Sequence, residues 1–145
     1  MNPYVVIDIG GTSIKYGLAD AKGQLLETHE MPTEAQKGGP HILNTTKEIV
    51  ARYLKKHPLA GVAISSAGMV DPDKGEIFYA GPQIPNYAGT QFKKEIEETF
   101  QIPCEIENDV NCAGLAEAVS GSGKGASVTL CLTIGTGIGG CLIMD

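Results

Sequence analysis

The chain has 145 residues, of which 11 are Lys or Arg and 17 are Asp or Glu, so its formal net charge is −6. This length predicts about one domain with its own core, and an apolar fraction of 42% with 19% charged residues excludes a collagen, a coiled coil and a low-complexity chain. Nucleic acids and anionic membrane surfaces are bound by clustered Lys and Arg, so the acidic balance argues against both as partners.

The first half of the chain predicts a β-meander followed by a helix. Three apolar runs separated by turns indicate strands at Tyr4–Ile9, Ile14–Ala19 and Leu25–Glu30. Between residues 41 and 57 the apolar side chains recur with the period of an amphipathic helix, which Pro58 ends. A buried strand, a turn and a loop are then expected at Val62–Ile64, Asp71–Gly75 and Ala80–Thr90.

The second half predicts two helices, a short strand and a hairpin. Phe92, Ile96 and Phe100 have helical spacing, and the Ala-rich stretch from Asp109 to Val119 indicates a further helix. The strands are expected at Cys104–Glu107, Val128–Ile134 and Ile138–Met144. A meander combined with helices indicates the α/β class.

The cysteines and the N-terminus indicate a cytoplasmic protein. No C-x-x-C pair occurs, so the thiols are expected to be reduced and to serve as small apolar side chains, at positions Cys104, Cys112, Cys131 and Cys141. The segment before Tyr4 has no basic residues, and Asp8 interrupts the apolar run that follows. We therefore expect neither a signal peptide nor a transmembrane helix.

The first candidate site is the turn after the first strand, with Asp8, Gly10, Gly11, Thr12 and Lys15. A carboxylate at the end of an apolar strand needs a partner, because an unpaired buried charge is costly, and a hydrated magnesium ion would serve. The two glycines allow backbone amides to approach phosphate oxygens, and the threonine adds a hydroxyl donor. A hairpin turn with local hydrogen bonds explains the motif equally well.

The second candidate site is the Gly-rich turn Gly135-Thr136-Gly137 within the run 132–140. The run satisfies G-x-G-x-x-G, but the apolar pattern resumes directly at Cys141 and predicts no helix, which argues against a dinucleotide site. A tight turn without a ligand is the alternative. Its pairing with the first Gly-rich turn favours phosphate binding.

The third candidate site is the junction between a strand and a helix at Glu107, Asn108 and Asp109. The amide and the carboxylate could bind and deprotonate a hydroxyl group. Asp is also a favoured N-cap, and the sequence pattern by itself favours the cap. The two roles are compatible.

Together these motifs resemble one family. In chain order they are Asp8 to Thr12, Ser65-Ser66-Ala67-Gly68-Met69-Val70-Asp71, Pro85-Asn86, Glu107 to Asn111 and Leu132 to Gly140. This series is similar to that of the ROK family (repressor, open reading frame, kinase), which includes bacterial glucokinases, N-acetylmannosamine kinases and β-glucoside kinases. The resemblance implies an actin-like ATPase (ribonuclease H-like) lobe with a mixed sheet. It also implies transfer of the γ-phosphate of ATP to a sugar hydroxyl, usually at C6, with Mg²⁺.

The resemblance assigns roles residue by residue. Asp109 resembles the general base, and the expected sugar-binding residues are Gly68, Asn86 and Asn108. The choice of sugar is expected to depend on the loop 80–87. The nucleotide would bind at the two Gly-rich turns, with Asp8 beside the magnesium ion, through Gly10, Gly11, Thr12, Lys15, Gly135, Thr136 and Gly137.

The chain also departs from the family. Whole kinases of this type are considerably longer, so we expect residues 1–120 to be the small N-terminal lobe and residues 121–145 the first hairpin of a truncated large lobe. Such a fragment would be inactive, and its uncovered hairpin would form a homodimer or fold back onto the small lobe. A ROK repressor carries a winged helix ahead of the kinase-like part, and because Asp8 lies only seven residues from Met1, we do not expect one here. A non-catalytic sugar-binding module would not need Asp109.

Overall fold

The computed structural model describes residues 1–135 and 137–144. They form two compact units, residues 1–107 and residues 108–145. The strands are β1 (Tyr4–Ile9), β2 (Ser13–Ala19), β3 (Leu25–Pro32), β4 (Gly61–Ser66), β5 (Met69–Asp71), β6 (Glu76–Tyr79), β7 (Cys104–Asn108), β8 (Val128–Ile134) and β9 (Ile138–Met144). The helices are α1 (Gly39–Leu54), α2 (Phe92–Phe100) and α3 (Asp109–Ser120), and a short 3₁₀ turn spans Ala35–Lys37.

The first unit is built on a five-stranded mixed sheet with the strand order β3-β2-β1-β4-β7. β1 pairs antiparallel with β2 and parallel with β4, and β2 pairs antiparallel with β3. The predicted meander and the α/β class are therefore confirmed. The helices end within three residues of their predicted bounds, at positions where local sequence signals are weakest.

The core of this unit follows from the alternation of side chains along β1. Val5, Ile7 and Ile9 point to one face and are almost completely buried. On α1, Ile42, Ile49 and Tyr53 have the spacing of one helix face and join the same core. Burial of these apolar side chains is the main driving force for the fold of the unit.

A two-stranded ribbon was not expected from the sequence. β5 and β6 pair antiparallel around the predicted turn, where Gly75 has φ of +69° and its N–H bonds to the carbonyl of Asp71 at 2.8 Å. The strands have three and four residues. Runs this short do not show a clear period of two, so only the turn could be predicted.

In the second unit, α3 packs on one face of the β8–β9 hairpin. Burial alternates strictly along both strands. Every second side chain is partly buried and faces α3, and the others are exposed. The exposed side chains form what we call the open face, which consists of Val128, Leu130, Leu132, Ile134, Ile138, Leu142 and Met144. The expected exposed apolar face is thus present.

The boundary between the units differs from the expected division at residue 120. Because α3 packs on the hairpin, the chain divides after Glu107, and α3 belongs with the second unit. Within residues 1–135 and 137–144, no helix has both the length and the apolar character needed to cross a membrane.

We expect the 145-residue chain to form a dimer through the open face, because this face leaves large apolar side chains in water. Leu130 and Leu142 lie opposite each other on it and are 66% and 53% exposed. Sedimentation velocity is expected to show a dimer for the unchanged chain and a monomer for the double variant Leu130→Lys with Leu142→Lys.

The matched control is Leu25→Lys with Leu26→Lys, since these leucines are equally exposed but lie on β3 in the other unit. This control should remain dimeric. An unchanged chain that is monomeric at every concentration would contradict the prediction.

Candidate functional site

The first Gly-rich turn, between β1 and β2, is held in place by Thr33. The hydroxyl of Thr33 donates to the carbonyl of Gly10 at 2.7 Å, and its backbone N–H donates to the carbonyl of Thr12 at 2.9 Å. Thr33 is completely buried. The residue after β3 therefore fixes the conformation of a turn more than 20 positions earlier in the chain.

The two glycines of this turn have different environments. The N–H of Gly10 donates to the carbonyl of Ser13 at 3.0 Å, and a Cβ at Gly10 would lie 3.0 Å from the same oxygen. A Cβ at Gly11 would meet nothing within 4 Å. The N–H of Gly10 thus closes the turn, whereas Gly11 and Thr12 are exposed. Phosphate binding by this turn stays a prediction.

Asp8 is exposed, so the premise that its carboxylate is buried was wrong. The alternation along β1 directs Asp8 away from the face that holds Ile7 and Ile9. Its Oδ1 accepts a hydrogen bond from the Ser65 hydroxyl on β4 at 2.8 Å. Lys15 lies opposite Asp8 on β2, so the three polar residues occupy neighbouring positions on three adjacent strands.

The donor set at Asp8 fits a magnesium ion held jointly with phosphate. Mg²⁺ prefers carboxylate oxygens and commonly binds through one or two of them together with substrate phosphates and water. In the part of the chain that the structure describes, no three His, Cys, Asp or Glu side chains converge on one point. An ion bound through one carboxylate and phosphate oxygens does not require such a cluster.

The end of β4 is connected to the loop 80–90 by a buried hydroxyl pair. The hydroxyls of Ser66 and Tyr87 are 2.6 Å apart, and both residues are almost fully buried. Gly68 follows at φ of +90°, and a Cβ there would lie 3.0 Å from the carbonyl of Tyr79. Glycine is thus required at position 68 by both its conformation and its surroundings.

Asn86 also has a left-handed conformation, with φ of +52°, and it is exposed. It is one of the residues around an open pocket of about 300 Å³ that α1 and α2 also line, formed by Pro40, Leu43, Asn86, Ala88, Gly89, Thr90, Gln91 and Glu95. Gly68 instead lies beside Tyr79 and Ile77. The two expected sugar-binding residues of this unit therefore have different surroundings.

In the second unit, Asn108 rather than Asp109 caps α3. The Oδ1 atom of Asn108 accepts from the N–H groups of Val110 at 3.0 Å and Asn111 at 3.2 Å. Asp109 is the first helical residue and is exposed, and its Oδ1 also accepts from the N–H of Val110 at 2.9 Å. The interpretation of Asp109 as the N-cap was wrong by one residue.

The second Gly-rich turn connects β8 to β9 as expected. The N–H of Gly135 donates to the carbonyl of Gly137 at 2.9 Å, and a Cβ at either glycine would meet nothing within 4 Å. Thr136 lies outside the described residues. A strand follows the turn directly, which confirms that this motif is not the strand-turn-helix of a dinucleotide site.

The predicted site residues are thus divided between the units. Residues 1–107 contain Asp8, Gly10, Gly11, Thr12, Lys15, Gly68 and Asn86. Residues 108–145 contain Asn108, Asp109, Gly135 and Gly137.

Thr33 and Tyr87 organise the site but could not be found from the sequence. A threonine after a strand and a tyrosine in a Gly- and Pro-rich loop have no local signal of their partners, which lie 23 and 21 positions away. Ser65 lies within one of the predicted motifs, but its bond to Asp8 depends on the parallel pairing of β1 and β4.

The fold and these motifs define a member of the ROK family, whose family model matches residues 4–145. The chain belongs to this family. Its structural relatives include ROK sugar kinases, which confirms the expected actin-like ATPase fold.

Several relatives match nearly the whole chain. It is 54% identical to an uncharacterized protein of Clostridium perfringens over 100% of this chain and 49% of the relative. It is 38% identical to a β-glucoside kinase of Listeria monocytogenes over 92% of this chain and 44% of the relative. The chain therefore spans about half the length of the curated relatives it matches.

Solved structures of ROK proteins are also similar to this chain. A ROK family glucokinase from Streptomyces griseus, in complex with glucose and AMPPNP, superposes with a TM-score of 0.83 at 32% identity, covering 98% of this chain and 44% of that one. A ROK family transcriptional regulator superposes with a TM-score of 0.84 at 16% identity, over 99% of this chain and 37% of that one, a likeness in fold alone.

We expect Thr33→Val to destabilise the chain by about 1 kcal/mol, because the isosteric side chain cannot donate to the carbonyl of Gly10. The measurement is the midpoint of urea unfolding. Thr28→Val is the matched control, since Thr28 is an exposed threonine on β3, and its effect should stay within about 0.5 kcal/mol. Equal effects of the two substitutions would contradict the role of Thr33.

Proposed function

We propose that the whole protein transfers the γ-phosphate of ATP to a hydroxyl group of a hexose or hexose derivative, at C6, with Mg²⁺. The observation that carries the proposal is the family match over residues 4–145, which includes every motif of the predicted site. The relatives named glucokinase and β-glucoside kinase support a sugar as the acceptor. AMPPNP is an analogue of ATP, so its presence with glucose in one relative supports this pair of substrates.

Asp109 is the proposed general base. A sugar hydroxyl is a weak nucleophile, and a nearby carboxylate can accept its proton as the phosphoryl group arrives. The exposed position of Asp109 at the start of α3 supports this role, because solvent-facing oxygens are accessible to a substrate. The capping by Asn108 supports it further, since the helix does not depend on Asp109 as its N-cap.

The proposed nucleotide contacts are the two Gly-rich turns and the charged residues beside the first. Gly11 and Thr12 are exposed and can approach phosphate oxygens, and Lys15 adds a positive charge. Gly135, Thr136 and Gly137 would supply further phosphate contacts. Asp8 would hold the magnesium ion, whose chemistry is to neutralise charge on the phosphate oxygens during transfer.

Gly68, Asn86 and Asn108 are the proposed sugar-binding residues, and the loop 80–87 is the proposed determinant of which sugar binds. Phosphoryl transfer depends on positioning and on electrostatic stabilisation. The Ser66–Tyr87 bond supports a positioning role for this loop, because it ties the loop to the end of β4.

A reaction that consumes ATP would place the protein in the cytoplasm.

A regulatory or non-catalytic sugar-binding protein is the second candidate function. The fold shared with a ROK transcriptional regulator is the observation that favours it. Such a protein would retain the sugar ligands but would not require the carboxylate of Asp109.

The function is tested with a coupled assay of ADP release by the whole protein. We expect turnover with one or more of glucose, N-acetylmannosamine, fructose and β-glucosides. The 145-residue chain should release no ADP above the background, because it spans less than half the length of its sugar kinase relatives. Sugar binding by the whole protein without any ADP release would favour the second candidate function. ADP release by the 145-residue chain would contradict the expectation that turnover needs more than these residues.

We expect Asp109→Asn in the whole protein to lower kcat by a factor of about 10² to 10⁴, because the amide cannot accept a proton from the sugar hydroxyl. Its oxygen can still accept from the N–H of Val110. The melting temperature and the affinity for the sugar should therefore remain close to those of the unchanged protein.

Asn108→Ser is the matched control, since serine caps a helix about as well as asparagine. It should keep the melting temperature but raise KM for the sugar, because the amide is lost. A near-normal kcat for Asp109→Asn would show that another group is the base, with Glu107 the next candidate.

A further inference from the structure

Two cysteines lie directly opposite each other in the β8–β9 hairpin. Cys131 and Cys141 are paired in the antiparallel register. Both side chains point to the face that α3 covers, since they occupy the partly buried positions of the alternating pattern. Residues opposite each other in antiparallel strands have Cα atoms about 4.5 to 5.5 Å apart, within the range of about 4.4 to 6.8 Å found in disulfides.

The two thiols are also close to each other. Burial raises the pKa of the Cys141 thiol, and the charge and hydrogen bonding of the neighbouring Cys131 thiol raise this pKa further, while the N–H of Gly114 acts in the opposite direction. The thiol of Cys141 donates to the carbonyl of Val110 at 3.3 Å. Cys141 is therefore hydrogen bonded to the first turn of α3 on one side and lies opposite Cys131 on the other.

The helix leaves room for this pair of sulfur atoms. A Cβ at Gly114 would collide with Sγ of Cys141 and would lie 3.4 Å from Cβ of Cys131. The absence of a side chain at position 114 thus allows α3 to approach both cysteines closely. Any larger residue there would displace the thiols or the helix.

We propose that Cys131 and Cys141 form a reversible dithiol–disulfide pair, a redox modification site beneath α3. The oxidant is a low-molecular-weight disulfide such as oxidised glutathione. The Cys131 thiolate attacks one sulfur of that disulfide, forms a mixed disulfide and releases one glutathione thiolate. Cys141 then loses its proton to solvent and attacks the sulfur of Cys131, displacing the second glutathione. Two electrons pass from the protein to the oxidant, which is reduced to two thiols.

The order of the two steps follows from the environments of the thiols. Only the thiolate is nucleophilic, and the S–H of Cys141 must first give up its bond to the carbonyl of Val110, so Cys141 is the slower first attacker. Once Cys131 is a mixed disulfide, the opposed register holds its sulfur next to Cys141. Cys141 is therefore the resolving thiol.

Oxidation has a structural consequence at the start of α3. Disulfide formation removes the S–H donor from the carbonyl of Val110, a residue of the first helical turn and the neighbour of Asp109. It also joins the two strands that lead into and out of the Gly135–Gly137 turn. The oxidation state of the pair thus acts on the start of α3, where Asp109 lies, and on the turn between β8 and β9.

The test equilibrates the 145-residue chain in buffers that range from reduced to oxidised glutathione, followed by acid quenching, denaturation, alkylation, trypsin digestion and mass spectrometry. No Lys or Arg lies between Lys124 and the last residue, so Cys131 and Cys141 fall in one tryptic peptide, 125–145, while Cys104 and Cys112 fall in the peptide 95–124. We expect peptide 125–145 to lose two hydrogen atoms and both alkylation sites, and peptide 95–124 to retain both of its sites. Dithiothreitol should reverse the change.

Single substitutions test the order of attack. Cys141→Ser should trap Cys131 as a glutathione adduct, whereas Cys131→Ser should leave Cys141 mostly unmodified over the same time. Cys112→Ser is the matched control and should leave the loss of two hydrogen atoms unchanged.

Folding is monitored in a second aliquot of each sample, alkylated without denaturation, by Cys104, which is 1% exposed and whose thiol pKa is raised by burial to about 12. It should resist alkylation before denaturation. Alkylation of both Cys131 and Cys141 after equilibration in oxidised glutathione, a glutathione adduct on each, or a link from either one to Cys112 would overturn the proposed pair. Adduct formation on Cys141 in preference to Cys131 would overturn the order of attack. These readouts measure thiols and not phosphoryl transfer, so they stand apart from the proposed kinase function.

Discussion

The central position of β1 is the constraint on which the first unit depends. β1 is hydrogen bonded on both edges, antiparallel to β2 and parallel to β4. Its buried residues Val5, Ile7 and Ile9 fix which face meets the core, since a shift of one residue would expose all three. The same register places the exposed Asp8 between Ser65 and Lys15. Core packing and the arrangement of the polar site are therefore set by the two pairings of one strand.

Short-range polar contacts then determine which groups remain available to a ligand. The N–H of Gly10 is used to close its turn, and Thr33 holds the carbonyls on either side of Gly11. At α3, Asn108 is the N-cap, so the helix start is satisfied with Asp109 exposed. In both places one residue meets the structural requirement, Gly10 at the turn and Asn108 at the helix, and the adjacent Gly11 and Asp109 stay exposed.

The hairpin of the second unit has two faces with different chemistry. Its open face carries large apolar side chains, whereas the face beneath α3 carries the two opposed cysteines together with Thr, Gly and Ile143. Gly114 lets the helix approach that second face, because any side chain there would meet the sulfur of Cys141. The spacing of the four cysteines shows neither the opposition of Cys131 and Cys141 nor the room that Gly114 leaves for them. It indicated only scattered reduced thiols.

The sequence by itself determined the elements with a strong periodic or local signal. The meander, the amphipathic α1, the bounds of β8 and β9 and the two Gly-rich turns were predictable because alternation, helical spacing and turn residues act within a few positions. The family also followed from the sequence, because its motifs occur in a fixed order. The tertiary structure decided what depends on contacts between distant residues: the burial of Thr33 against the first turn, the bond of Ser65 to Asp8, the capping by Asn108 rather than Asp109, and the pairing of Cys131 with Cys141. Strand pairing and helix packing create these contacts, and no local pattern records which residues they join.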